Sequence, residues 1–236
     1  MFDFAAVLVD WPLLLVGAGM TLLLTAIAAV IGVALGVACA WVRARPPAGP
    51  AAGAAPGWPR RALAALAGAY VEAIRNTPFI VQLFFVFFGL PSLGVKLGSE
   101  AASVLAMVLN LGAYAAEIVR AGIEATPRGQ VEAARSLALG ERQVFLRVVL
   151  PPALGRVWPA LVSQIVIVML GSAVCGQIAT QELSYAANLI QSRNFRAFEA
   201  YIVATLAYLA LSMLVRRALV WAGPRLLFGH LPRSGR

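Results

Sequence analysis

The sequence predicts an all-α fold: an integral membrane bundle of five transmembrane helices that occupies residues 1–236 as one domain. Composition is the first observation, because 61% of the 236 residues are hydrophobic and only 12% are charged, about half the charge of a typical soluble domain. Second, apolar runs of about 20 residues, the length that crosses a bilayer, recur along the chain. Third, the basic residues collect in alternate loops, which predicts an N-terminus outside and a C-terminus in the cytoplasm.

The first predicted span covers residues 13–41 and carries small residues at helical spacing. They are Gly17, Thr21, Thr25 and Ala29, followed one register over by Gly32, Gly36 and Ala40. Small side chains let membrane helices approach closely, so this pattern predicts a packing face. The alternative is an Ala- and Gly-rich composition without packing meaning. Because Asp3 and Asp10 stand where a secretory signal would carry cations, we expect the run to be retained as a span.

A low-complexity stretch follows at residues 44–61, with the core sequence PPAGPAAGAAPGWP. Proline and glycine at this density are incompatible with a regular element, so the stretch predicts a flexible loop. Arginines flank it on both sides, which is typical of a cytoplasmic loop.

The second predicted span, residues 70–90, contains Pro78 just before its most apolar part. A proline is tolerated in a membrane helix only where neighbouring groups satisfy the carbonyls that it frees. Glu72 and Arg75 are three residues apart, which favours a structural ion pair over a role in transport.

Polar residues lie on one face of the third predicted span, residues 101–119. Asn110, Tyr114 and Glu117 follow helical spacing, and such a stripe usually faces a bundle interior or an aqueous path. Asn110 and Tyr114 are therefore candidates for a translocation path, although a structural role is equally open for Asn110. Glu117 lies near the end of the span, where it can reach interfacial water or Arg120.

The fourth predicted span, residues 157–179, has no ionisable residue but presents a small or polar face. Gln164 and Ser172 are its candidate path residues. Residues 180–199 are predicted to be a loop, and residues 200–221 form the last span. Most arginines lie in the loops after the first and third spans and in the C-terminal tail, whereas the opposite side carries Lys96, Arg193 and Arg196.

The polar passage between the third and fourth spans, residues 120–156, is the longest in the chain. Pro127 predicts a helix start as its first residue, and Gly140 predicts the left-handed residue that ends it. Val131, Ala134 and either Leu137 or Ala138 form an apolar stripe. An amphipathic piece follows from residue 141 and is predicted to stop at the double proline. The short helix either docks on another protein or packs on its own bundle.

The sequence EAARSLALGERQVFLRVVLPPAL resembles the EAA loop of bacterial ABC-transporter permease subunits, in the polar amino acid uptake branch. The segments AYAAEIVRAGI, PRGQ, GMTLLLT and RNTPFIVQLFFVFFGLP resemble the same branch. The tripeptide Glu-Ala-Ala alone is not evidence for the family, since it also occurs at residues 100–102. The resemblance covers nearly the whole chain, from about residue 15 to residue 217.

The resemblance implies a multi-pass protein of the bacterial inner membrane whose coupling helix docks on a separate ATPase. The residues implied in ATPase coupling are Glu132, Ala133, Ala134, Arg135, Ala138 and Gly140. Two permease chains, either two copies or a pair of homologues, would form the path, and a periplasmic binding protein would deliver the amino acid. ATP hydrolysis is expected on the partner, because the sequence contains no GxxxxGK[ST] motif.

Two positions depart from the family pattern. Ala138 replaces a glycine, which predicts a helix running one turn further. In the fourth span a family run that begins Lys-Asp is replaced by residues 169–173, whose sequence is MLGSA. Without a carboxylate there, burying a cationic substrate side chain would be costly. We therefore expect a neutral or acidic polar amino acid, such as glutamine or glutamate.

Other classes of function are not supported by the residues. Cys39 and Cys175 lie in apolar runs, His230 is the only histidine, and no catalytic, metal or cofactor site is expected. The arginines behind the net charge of +9 lie between apolar runs, which is typical of cytoplasmic loops, so the expected partners include membrane lipid but not nucleic acid. A stand-alone channel or secondary transporter stays open as an alternative, although the fourth span lacks the ionisable relay of a proton-coupled carrier.

Overall fold

A computed structural model describes residues 2–44 and 58–226, and within these ranges the chain is built from helices and short turns without strands. Four helices are long and apolar enough to cross a membrane, and a bent helix pair is a candidate fifth span. The predicted all-α membrane fold is therefore confirmed. Most of the predicted flexible loop at 44–61 lies outside the described residues.

Ten α-helical segments follow each other along the described chain. They are α1 (Ala5–Leu8), α2 (Trp11–Arg43), α3 (Trp58–Arg75), α4 (Phe79–Phe84), α5 (Ser99–Glu124), α6 (Arg128–Ser136), α7 (Glu141–Gln143), α8 (Leu150–Gly171), α9 (Leu183–Asn194) and α10 (Ala197–Leu226). Segments of π-helix (Phe85–Gly89 and Val144–Val149) and of 3₁₀ helix (Leu90–Leu93 and Ser172–Ile178) join or extend some of them.

Helices α2 and α5 pack closely at the centre of the bundle. A Cβ added to Gly36 would lie 2.6 Å from the Ala115 Cβ, and one added to Gly32 would lie 3.1 Å from the Leu111 Cβ. A larger side chain at either position would separate the two backbones. The packing role predicted for the small residues of the first span is thus confirmed at these two glycines.

The second predicted span is a broken helix. Helices α3 and α4 meet at an angle of 113° at a short break, where Pro78 adopts an extended conformation. The Gln82 Nε2 atom donates hydrogen bonds to the carbonyl oxygens of Ile74 (2.7 Å) and Thr77 (3.0 Å). The expected compensation for the proline is confirmed, and it comes from a side chain on the next turn.

The sequence predicted that the double proline would stop the helix before it, and this prediction is wrong. Helix α7, a π-helical turn over Val144–Val149 and helix α8 run on without a break as far as Ile178. The wider π turn relieves the loss of the amide hydrogens at Pro151 and Pro152, which lie in the first turn of α8.

The segment predicted as an outer loop contains a helix of its own. Helix α9 packs against α2 and α10, and Leu183, Ala187 and Ile190 are buried. Its mixture of Ser, Asn and Gln with small apolar residues hides the pattern of a buried face in the sequence.

Candidate coupling surface and polar centre

Helix α6 is seated on the bundle by one face and exposes the other. Val131 and Ala134 are buried against a cluster that includes Ile123 and Phe145. Glu132 and Ala133 are exposed. Pro127 was predicted to be the first residue of the helix, but it precedes the helix as its N-cap. The amphipathic sequence thus forms a short helix whose apolar face packs on the bundle.

The end of α6 differs from the prediction. Ala138 has a φ of +56°, and its backbone N–H donates to the Arg135 carbonyl (2.9 Å), while that of Leu139 donates to the Ala134 carbonyl (3.3 Å). This is a Schellman motif with Ala138 as its left-handed residue. Gly140 has a φ of −65° and caps α7. The helix therefore does not run a further turn, and Gly140 does not end it.

A side-chain pair closes the turn between α6 and α7. The guanidinium of Arg135 binds both carboxylate oxygens of Glu141, with Nε–Oε1 at 2.9 Å and Nη2–Oε2 at 3.2 Å. The Gly140 N–H donates to the Gln143 side chain at 3.1 Å. Arg135 and Gly140 thus hold the loop in shape.

Leu137 lies outside the buried apolar stripe of α6. It was a candidate for the buried stripe, but its side chain is 77% exposed, whereas Leu139 packs against the cluster. Leu139 takes the place predicted for Leu137 because the left-handed turn at Ala138 redirects the chain just before Leu139. Glu132, Ala133, Leu137 and Ala138 are all exposed, and we call these four residues the coupling surface.

The predicted path residues have different environments. The Asn110 amide donates to the Gln82 Oε1 atom at 3.0 Å, so it supports the side chain that repairs the Pro78 break. Tyr114 lies beneath the Arg75 guanidinium, 5.6 Å from ring centroid to Cζ. The buried Ser172 hydroxyl donates to the Met169 carbonyl of its own helix at 2.7 Å. Gln164 is half-buried on α8.

Glu117 is the centre of a charge network at the end of α5. Its carboxylate lies 2.5 Å from Arg43 Nη1, 2.7 Å from Arg120 Nη2 and 3.9 Å from Arg75 Nη1. The predicted contact with Arg120 is confirmed. The predicted Glu72–Arg75 pair is wrong, because the Arg75 guanidinium lies against Tyr114 and Glu117 of α5 instead.

A second carboxylate, Glu182, is fully buried before α9. It accepts hydrogen bonds from the backbone N–H groups of Ser184 (2.9 Å) and Tyr185 (2.8 Å), and from the hydroxyls of Ser184 and Tyr208. It therefore caps α9 and ties it to α10. The sequence offered no signal for this role beyond an acidic residue directly before a helix.

The chain matches a family of known proteins over most of its length. Residues 49–228 match the family described as "Binding-protein-dependent transport system inner membrane component". The probable glutamine ABC transporter permease GlnM of Bacillus subtilis is 37% identical over 153 residues, which cover 65% of this chain and 71% of the relative. The probable amino-acid ABC transporter permease y4tG of Sinorhizobium fredii is 35% identical, over 76% of this chain and 75% of the relative.

Solved structures agree with this match. A chain of an amino acid ABC transporter crystallised with histidines superimposes with a TM-score of 0.79 at 33% identity, covering 96% of this chain and 100% of that one. A chain from inward-facing MetNI, a methionine ABC transporter, gives a TM-score of 0.66 at 19% identity, over 89% of this chain and 95% of that one. The second likeness concerns the fold alone.

Proposed function

This chain belongs to the family of binding-protein-dependent transport system inner membrane components, and on that basis we propose a specific role for it in the import of polar amino acids. It is the permease subunit of an ABC importer and a multi-pass protein of the inner membrane. The family works with ATPase and substrate-binding partners. The importer takes precedence over a stand-alone channel or secondary transporter, because the relatives named above are ABC transporter permeases.

The division of α6 into a buried and an exposed face is the observation that carries the coupling proposal. Val131 and Ala134 anchor the helix, so a force applied to its exposed face is transmitted to α5 and the π turn before α8. The coupling surface would dock in a groove of the ATPase, with Leu137 as its apolar anchor. Ala134, Arg135 and Gly140 would serve coupling by holding the helix and its following turn in place.

The proposed orientation places the N-terminus outside and the C-terminus in the cytoplasm. Contacts within the bundle support it, because Arg43 meets Glu117 near α6, whereas Asp3 lies 3.9 Å from Arg196 before α10. Residues predicted for the cytoplasmic side therefore contact one another, and so do residues predicted for the outer side. The arginine-rich side is expected to face the cytoplasm, where the ATPase would bind. Two permease chains, identical or homologous, would enclose the path, and a periplasmic protein would deliver the substrate.

The proposed substrate is a neutral or acidic polar amino acid, such as glutamine or glutamate. The names of several relatives point to glutamine, and Met169 and Leu170 stand where the family pattern has a charged pair. Asn110, Tyr114, Gln164 and Ser172 supply amides and hydroxyls for a path without a fixed negative charge. Competition assays of ATP-driven uptake test the substrate class, and arginine or histidine as the best competitor would overturn it.

Two substitutions test the coupling surface. Glu132→Lys reverses an exposed charge, and Leu137→Ala removes the exposed apolar side chain; neither alters the buried seat of α6. Each is expected to lower ATP-driven uptake about tenfold, the effect of losing roughly 1.4 kcal/mol of docking energy. The ATPase should also co-purify less well with each variant.

The matched control is Glu100→Lys, a reversal of an exposed charge in the first turn of α5, which starts at the far end from α6. This control should transport normally. Normal uptake and normal ATPase recovery in both coupling variants would refute the proposed docking contact.

A further inference from the structure

A cavity of about 350 Å³ lies beside α9, between the start of α4, the 3₁₀ segment Ser172–Ile178 that follows α8, and the start of α10. We call it the α9 cavity. Its volume falls near the lower end of the range for small-molecule sites, which suits one small ligand. None of the coupling or path residues named above lines it.

The polar groups of the α9 cavity are all uncharged. Its walls carry two carboxamides and three hydroxyls, besides apolar side chains and Gly176. The polar residues are Gln177, Ser184, Tyr185, Asn188 and Tyr201. Carboxamides and hydroxyls both donate and accept hydrogen bonds, so they can bind an uncharged polar group or a carboxylate. No lysine, arginine or acidic side chain lines the cavity as the structure describes it.

One negative charge lies directly behind this wall. A Cβ added to Gly176 would stand 2.8 Å from the Glu182 Oε1 atom, and the Ser184 hydroxyl donates to that same oxygen at 2.5 Å. Gly176 and Ser184 both line the cavity, so the carboxylate lies one layer of residues behind its wall. The groups that bind Glu182 are neutral, namely amide N–H groups and hydroxyls. Among the described residues it has no ion-pair partner. A buried charge without a counter-ion acts at a distance through a low-dielectric wall, so it attracts a single cationic group.

We propose that the α9 cavity binds a zwitterionic amino acid with an uncharged polar side chain. The Glu182 charge favours the α-ammonium group, and the Gln177 and Asn188 carboxamides bind the polar side chain and the carboxylate. An acidic side chain would meet the Glu182 field without any cation to bind it, and a cationic side chain would lack a second carboxylate. The inference rests on the proposed import function and narrows its substrate class to amides and hydroxyl amino acids.

The site is tested by thiol protection in the complete permease–ATPase complex in nanodiscs, where both faces are accessible. The reporter is Ile80→Cys, because Ile80 lines the cavity and is 40% exposed without contributing a polar group. The native Cys39 and Cys175 are buried, so the wild-type complex serves as the blank. Saturating L-glutamine should slow the modification of the reporter about tenfold by excluding the reagent. L-glutamate and L-arginine should protect at least about tenfold more weakly.

Two further variants define the outcome. Ser192→Cys is the control reporter, because Ser192 is exposed on α9 but does not line the cavity, and no amino acid should protect it. Asn188→Leu, combined with Ile80→Cys, should abolish protection by L-glutamine. An unreactive reporter, equal protection by all three amino acids, or protection that survives Asn188→Leu would overturn the proposal. ATP-driven uptake of L-glutamine is measured on the same complex reconstituted in sealed proteoliposomes with its binding protein: uptake without protection refutes the cavity alone, whereas absence of uptake refutes the import function.

Discussion

Two glutamates at different places in the bundle are held in opposite ways. Glu117 lies among the side chains of three arginines, and its carboxylate is still partly exposed. Glu182 is fully buried and is bound only by neutral donors. An ion-pair network near water is screened by salt and can exchange its partners. A buried carboxylate with fixed hydrogen bonds cannot do so without a large cost.

The two carboxylates therefore differ in how readily their contacts can rearrange. Glu117 joins the ends of α2 and α5 next to α6, where an ATPase would act, and an exchangeable network suits a region that changes shape. Glu182 joins α9 to α10 and lies next to Thr21 of α2, since the Leu183 N–H donates to the Thr21 hydroxyl at 3.3 Å. Its contacts there are fixed hydrogen bonds to the backbone and to hydroxyl groups.

The largest expected effect comes from Glu182→Ala. The substitution removes the cap of α9 and leaves the Tyr208 hydroxyl and two backbone N–H groups without their acceptor. We expect a loss of about 3 kcal/mol in the free energy of unfolding. Glu182→Gln, which keeps an acceptor oxygen, should lose less than half as much. Thermal unfolding of the purified protein, followed by tryptophan fluorescence, measures both, and an alanine variant as stable as the wild type would remove the contrast between the two glutamates.

A smaller effect is expected for Glu117→Gln. Because the ion pairs are partly exposed, the loss should be about 1 kcal/mol at low salt and should shrink towards zero near about 1 M salt. Unfolding curves at two salt concentrations test this dependence. Glu124→Gln, which breaks only the more exposed pair with Arg120, is the control and should lose less. A salt-independent loss at Glu117 would show that it behaves like Glu182.

The smallest effect, a gain, is expected for Ala138→Gly. Glycine relieves a left-handed strain of about 1–2 kcal/mol, but the more flexible unfolded chain takes back about 0.4–1 kcal/mol. The net expectation is a stabilisation of about 0.5 kcal/mol. Ala133→Gly, an exposed position inside α6, is the control and should destabilise by about 1 kcal/mol. Equal losses at both positions would contradict the left-handed geometry of Ala138.

The sequence predicted the features that depend on composition and local spacing. Hydropathy identified the membrane helices, and the spacing of Gly32 and Gly36 identified a packing face. The need to satisfy the carbonyls at Pro78 was also predictable, because it follows from the chemistry of one residue. The family resemblance drew attention to Ala138, although not to its conformation.

The remaining features depend on contacts between distant residues. The angle of the Pro78 break depends on Gln82 and Asn110, which lie on different helices. In the sequence, Glu182 cannot be distinguished from an exposed acidic residue of a loop. Its role depends on a hydrogen bond from Tyr208, which lies 26 residues later in the chain. The end of α6 was misjudged because two candidate residues, Ala138 and Gly140, stood two positions apart. The start of α7 distinguishes them, since Gly140 is its extended N-cap and is therefore not the left-handed residue that ends α6.

The sharp bend at Pro78 has a consequence for the surrounding bilayer. The arm after the bend, Phe79–Leu93, is only about 22 Å long at the usual rise per residue, and the hydrocarbon core is about 30 Å thick. Phe85 and Phe88 are each 64% exposed on this short arm. Even an upright arm is therefore shorter than the hydrocarbon core, a mismatch that membranes accommodate by local thinning, by snorkelling of flanking residues or by oligomerisation. Membrane thickness thus acts on the chain at the joint that Gln82 holds together.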